Sequence, residues 1–424
     1  MKKEPKLLRF LKRIEPDKKK RPLLHTFYDG MFTFFFTPNE VTAPQGVQIR
    51  DRIDLKRTMI FVVLALQLSY LLGTYNIGHQ HFTALGQYTG LWEGWHLKLV
   101  YGLIKLVPLF VVSYAVGLGI EFFMASRKGH PIAEGYLVTG ALIPLIMPPD
   151  LPLWILALSI VFAVWIGKEA FGGTGMNVFN IALLARAFVF FAYPQSISGD
   201  EVWISGIEKV GMAYQGMEYG WIYHLFDGLF HSLGWAEFGS GGQAVADAFT
   251  GATPLALAAK GGWEAVTQVP HYSLSHMWWG FIPGSIGETS KPLILAGALF
   301  LLVTGIANWR IMVSMFLGAA FMGWVFNLWG ATPFMQVPWQ YQFFMGGFFF
   351  AMAFMATDPV TAAATNTGKW VYGFLIGMLG MFIRVVNVAY PEGWMLAILF
   401  MNAAAPLIDH LVKRANIRWR TQKA

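Results

Sequence analysis

The chain has 424 residues, 55% hydrophobic and 16% aromatic but only 13% charged, with a mean hydropathy of +0.48. A soluble domain carries about 25% charged residues, so this is the composition of an integral membrane protein. The net charge of +7 excludes nothing by its size, but its placement argues against nucleic acid as a partner. The positive residues crowd the ends, as in Lys18-Lys19-Lys20-Arg21, which before a membrane domain reads as a lipid-facing cytoplasmic tail. Cysteine is absent, which removes iron–sulfur clusters, disulfides and thiolate zinc sites as internal equipment.

Residues 1–57 form a basic segment whose aromatic patch, Phe32 to Phe36, suits either an interfacial helix or a loosely packed tail. No N-terminal apolar run has the form of a signal peptide. A bilayer crossing needs about 20 mostly apolar residues. Spans are predicted at 58–75, 99–126, 134–147, 151–167 and 177–194, forming a first membrane unit, 58–194. Five more, at 291–308, 310–329, 341–356, 370–389 and 392–411, form a second, 291–411. Between them lies an insert, 195–290, and after them a basic tail, 412–424. Most histidines fall in segments read as external (His79, His81, His96, His224, His231, His271, His276) and none pair across spans. Haem is therefore disfavoured, and a flavin or quinone remains for any electron transfer.

Charge orients this layout. Arg127, Lys128, Lys168, Arg310, Lys369 and the tail residues Lys413 and Arg414 all fall on one side, taken as the inside. The insert then lies outside and is acidic, with Asp200, Glu201, Glu208, Glu218, Asp227, Glu237, Asp247, Glu264 and Glu288 against Lys209 and Lys260. Five spans on either side of an external insert describe an inverted repeat. Two pairs of segments support it faintly: runs 137–148 and 348–359 each end in proline, and Phe179-Asn180-Ile181-Ala182 matches Met401-Asn402-Ala403-Ala404. The expected fold is thus all-α, with about ten transmembrane helices in two inverted five-helix repeats.

Three carboxylates near the inner ends of spans carry the next signal, because ionisable groups in lipid are costly. Glu121, Asp358 and Asp409 have the hard oxygen ligands that suit sodium. Each also has a plain reading: Asp358 before Pro359 caps a helix, while Glu121 and Asp409 snorkel. Gly172-Gly173-Thr174-Gly175-Met176-Asn177 is a tight turn lacking the ending of a phosphate loop, with Lys168 and Glu169 anchoring the interface beside it. Thr253, followed by Pro254 and a helical run, reads as an N-cap with proline at the first helical position. That geometry also offers free N–H groups to a phosphate.

Over most of its length the chain resembles the B subunits of the sodium-translocating NADH:quinone oxidoreductases. The resemblance rests on the segments 52–57, 168–177, 282–288, 354–360, 384–393 and 405–409. It also rests on an attachment pattern of an acid, two variable residues, Ser or Thr, then Gly-Ala-Thr. Here that is Asp247, Thr250, Gly251, Ala252 and Thr253. The resemblance implies FMN joined to Thr253 by a phosphoester, installed by a flavin transferase, together with a non-covalent riboflavin. It further implies ubiquinone as substrate, a six-subunit complex in the bacterial inner membrane, both termini cytoplasmic, and electrons arriving from NADH through partner subunits. Membrane lipid is a further partner and nucleic acid is not. The acids implicated in sodium uptake match Glu121, Asp358 and Asp409. A glycine of the family's quinone region matches Gly117, beside Leu118 where a second glycine is usual. Two alternatives stay open: the D subunit of the Rnf-type ferredoxin-linked pump, and a flavin-free channel of inverted five-span repeats.

Overall fold

The structure is a computed structural model that describes residues 55–84, 86, 88–128, 135–198, 202–206, 253–387 and 393–423, with isolated positions among the first 32. Among these residues all regular structure is helical. The first unit contains α1 (Leu55–Ala84), α2 (Trp95–Lys128), α3 (Tyr136–Ile146), α4 (Leu153–Trp165) and α5 (Ile181–Ala192). The C-terminal part of the insert forms α6 (Pro254–Thr267). The second unit contains α7 (Lys291–Val303), α8 (Trp309–Trp329), α9, α10 (Asn366–Val386) and α11 (Gly393–Lys423). Here α9 is the short helix Phe348–Phe350 running directly into a π-helical turn, Ala351–Met355. The basic head and residues 207–252 of the insert lie outside the described residues.

Among the described residues six helices are long and apolar enough to cross a membrane: α1, α2, α4 with its extension to Phe171, α8, α10 and α11. The other four expected spans are shorter than the sequence indicated. α3, α5 and α7 have 11, 12 and 13 residues, or about 16–20 Å of rise, against a hydrocarbon layer of about 30 Å. Their ends are set by local chemistry. Met147, before Pro148, is extended and stops α3, and Asn180 caps α5 inside the expected span. Irregular backbone at such depth is tolerated where protein covers it, and 142–147 and 350–356 are fully buried.

α1 departs the other way, running well past its expected end at Tyr75. The polar residues that suggested an end are paired inside the protein instead. Asn76 Nδ2 donates to the Ile282 carbonyl at 2.9 Å and Gln80 Nε2 to Asn76 Oδ1 at 3.2 Å. His79 and His81, read as external, sit in the last turns of this helix, with His81 stacked on Tyr101 at 4.0 Å.

The two units pack alike. α3 lies against α1, α2 and α5, as α9 lies against α7, α8 and α11. α4 bridges α2 and α5, as α10 bridges α8 and α11. The units join where α1 meets α7 and α5 meets α11. Chain alternation then gathers the start of α1, the end of α2, the 168–180 segment, the end of α7 and the 357–365 turn at one end. The described parts of the insert, α6 among them, and the 333–347 segment gather at the other.

Small residues set the tightest contact. A Cβ on Gly318 would overlap the Phe374 carbonyl oxygen, and one on Gly377 would overlap that of Met315, so α8 and α10 touch backbone to backbone. Gly377→Ala must force these helices apart. It should cost about 1–3 kcal/mol and lower the Tm of the purified chain in detergent. Gly119→Ala, where a Cβ meets nothing within 4 Å, should leave Tm unchanged.

Candidate functional site

A cavity of about 90 Å³, room for several waters, lies between the two units at the end where their short helices meet. Thr58 and Met59 of α1, Val138 and Thr139 of α3, and Leu301 of α7 form its walls. Its polar floor comes from Lys168, Asn177, Asn180, Thr357 and Asp358. The π turn explains how Asp358 arrives there. It widens the last turn of α9, with the Ala356 N–H donating to the Ala351 carbonyl at 2.8 Å, and releases the chain at Asp358 rather than continuing the helix.

Asp358 is held by donors from both units. Oδ1 accepts from the Val360 N–H at 3.1 Å, and Oδ2 accepts from Thr361 Oγ1 at 3.0 Å and from Asn180 Nδ2 at 3.4 Å. No helix begins at Pro359, so Asp358 is not the helix cap expected from the sequence; these bonds close a turn that precedes α10, and Asn180 adds a cross-unit contact. Glu121, on α2, reaches the same region indirectly. Its Oε1 accepts a hydrogen bond from Lys168 Nζ, and both side chains are buried. Lys168 and Glu169 therefore do not anchor a membrane surface. Glu169 is buried too, and pairs with Lys128 at 2.8 Å.

At the opposite end Thr253 caps α6. Its Oγ1 accepts from the Ala256 N–H at 3.2 Å, and Pro254 occupies the first helical position. Gly262, at φ +68°, kinks α6 against Pro333, and Trp263 stacks on Tyr341 at 4.2 Å. Asp247, Thr250, Gly251 and Ala252 lie outside the described residues. The Thr253 hydroxyl keeps its proton and a lone pair, and the first N–H groups of a helix have no intrahelical partner, so the position fits a phosphoester as well as a cap. Behind α6, Ser285 Oγ, Glu288 Oε2, Gln342 Oε1 and Trp394 Nε1 are buried without hydrogen-bond partners among the described residues. A second cavity at this end is lined by His79, His271 and His276, but no group of histidines and carboxylates among the described residues is gathered to hold a metal.

The model of the NQR2, RnfD, RnfE family matches residues 41–418. The chain belongs to that family. Among relatives, one from Chromohalobacter salexigens is 41% identical over 422 residues, covering 94% of this chain and 91% of the relative. One from Pseudomonas aeruginosa is 40% identical over 419 residues, 93% of each chain, and one from Yersinia pestis 40% identical over 426 residues, 93% of each. All three are named as the B subunit of a Na(+)-translocating NADH-quinone reductase.

The remaining positions singled out in the sequence have clear local roles. Gly117 packs beneath Tyr136: a Cβ there would overlap the ring, and the Tyr136 hydroxyl donates to the Ser113 carbonyl at 2.8 Å. The space beside Gly117 is thus filled by protein. Asp409 does not reach the cavity. It accepts from the Ala364 N–H at 2.7 Å, the Thr365 N–H at 2.9 Å and Thr365 Oγ1 at 2.5 Å, and so clamps the turn that runs from Asp358 into α10. Two residues at the cavity were not recognised from sequence as belonging to it. Asn180 stood out only as half of a repeat match, although an asparagine before an apolar helical run is itself a capping signal. Lys168 carried no signal linking it to Glu121, 47 positions earlier.

Asp409→Asn keeps the shape but turns a donor toward N–H groups that need an acceptor. It should cost about 1–3 kcal/mol, read as a lower Tm for the chain in detergent.

Proposed function

We propose that this chain is the flavin-carrying, ion-handling membrane subunit of a bacterial sodium-translocating NADH:quinone reductase. The observation that carries the reading is the full-length similarity to B-subunit relatives, combined with a carboxylate-floored cavity between the two units. In this reading the units are inverted repeats in the inner membrane. Both termini and Asp358 face the cytoplasm, and α6 faces outward. The clustering of Lys128, Lys168, Arg310 and Lys369 toward the Asp358 end supports that orientation. The partners are the other subunits of a six-subunit complex, a flavin transferase and membrane lipid. The redox set is FMN on Thr253, a non-covalent riboflavin and ubiquinone as electron acceptor.

The flavin on Thr253 supplies one-electron carriage that cannot diffuse away. The chain supplies its seat: a hydroxyl at a helix N-terminus, whose N–H groups favour an anionic phosphoester, stiffened by Trp263 on Tyr341. At the other end Asp358 offers oxygen to an incoming sodium ion, and Asp409 holds the turn that carries it. Moving one charge against 100 mV costs about 2.3 kcal/mol, so redox coupling must change ion affinity by at least that scale.

Two experiments test this. Thr253→Ala, co-expressed with the transferase, should abolish in-gel flavin fluorescence of the denatured chain. A band as bright as wild type would leave Thr253 as a helix cap alone. In the assembled complex Asp358→Asn should raise the sodium needed for half-maximal quinone reduction by about tenfold, equivalent to about 1.4 kcal/mol of binding. NADH oxidation by an artificial acceptor at the first flavin should stay normal. An unchanged sodium dependence would remove Asp358 from the ion path.

A further inference from the structure

The cavity at Asp358 has a second charged resident, Lys168. Its ammonium hydrogen-bonds Glu121 Oε1. The two side chains are 4% and 6% exposed, so neither charge is compensated by bulk water. The other Glu121 oxygen, Oε2, is buried and has no hydrogen-bond partner among the described residues. Glu121 is thus a half-satisfied carboxylate whose single cationic partner rides on a flexible four-carbon stem beside an open space.

Electrostatics then limits occupancy. A buried carboxylate balanced by one ammonium cannot also take a sodium ion without leaving an uncompensated positive charge in a low-dielectric setting, which is costly. One cation can replace the other at nearly constant charge. The displaced ammonium needs a carboxylate of its own, and Asp358 lines the same cavity, so the two cations can exchange partners with every charge still paired. The neighbouring Lys128–Glu169 pair at 2.8 Å is balanced separately and does not supply a substitute charge. Resting on the sodium reading above, we propose that Lys168 is the tethered counter-ion that an entering sodium ion displaces from Glu121. It acts as a positioning residue that sets sodium affinity without touching flavin or quinone.

The test uses the assembled complex and reads the sodium concentration that gives half-maximal quinone reduction. Lys168→Gln removes the competing charge and should lower that concentration by about tenfold. Lys168→Arg keeps the charge, but its guanidinium grips a carboxylate with two parallel N–H bonds and does not release a proton, so it should raise the value. Opposite shifts support the proposal, because a merely structural role has no reason to produce them. Shifts in the same direction, or none, overturn it. If Lys168→Gln does not assemble, Lys168→Arg decides alone, and an unchanged half-saturation then overturns the proposal. A wild-type complex without sodium dependence, or a normal Asp358→Asn complex, would instead strike the sodium reading itself.

Discussion

The Asn180 carboxamide is the point on which the two membrane units depend. Its Oδ1 accepts from the Ala182 and Leu183 N–H groups and so starts α5. Its Nδ2 donates to Asp358, 178 positions away. With the Asn402 amide oriented so that both of its ends are satisfied, the Asn180 backbone N–H donates to Asn402 Oδ1 at 3.1 Å. A broken helix inside an apolar protein exposes N–H and C=O groups that water cannot reach. One residue answers three of these demands and ties the units together in doing so. Asn402, its match in the other unit, bonds to Tyr372, so the junction extends into α10.

The carboxylates divide by what neutralises them. Asp358 and Asp409 accept from N–H and O–H dipoles. Glu121 and Glu169 have ammonium partners. In the proposed reading a cation entering the cavity therefore meets one carboxylate without an ammonium partner, Asp358, and near it one already paired, Glu121. The α6 end is built differently, with aromatic stacking of Trp263 on Tyr341, and it lies across the protein from the acids. In the proposed reading, electron carriage and ion entry are thus separated along the chain's long helices, and coupling between them must pass through α9, α10 and the 341–347 segment.

Composition and periodicity were enough for the membrane character, the all-helical class and the order of elements, because apolar runs of sufficient length leave the chain few other ways to satisfy its backbone. The Thr253-Pro254 start of α6 was also legible, since caps depend on residues only two or three positions apart, whereas the helix expected after Asp358-Pro359 is only a turn. Element lengths were less so. α1 outran its apolar stretch because Asn76, Gln80 and His81 found partners in segments more than a hundred residues away or in its own preceding turn.

Tertiary structure alone decided which charges meet. Nothing local distinguishes Glu121, which finds Lys168 on another segment, from Asp409, which finds the N–H groups of 364 and 365. The sequence placed all three acids near helix ends. It could not show that only Asp358 of the three lines the cavity, nor that Gly117 yields its space to the Tyr136 ring. Those outcomes turn on side-chain reach across helices about 8–10 Å apart, and linear spacing carries no information about that distance.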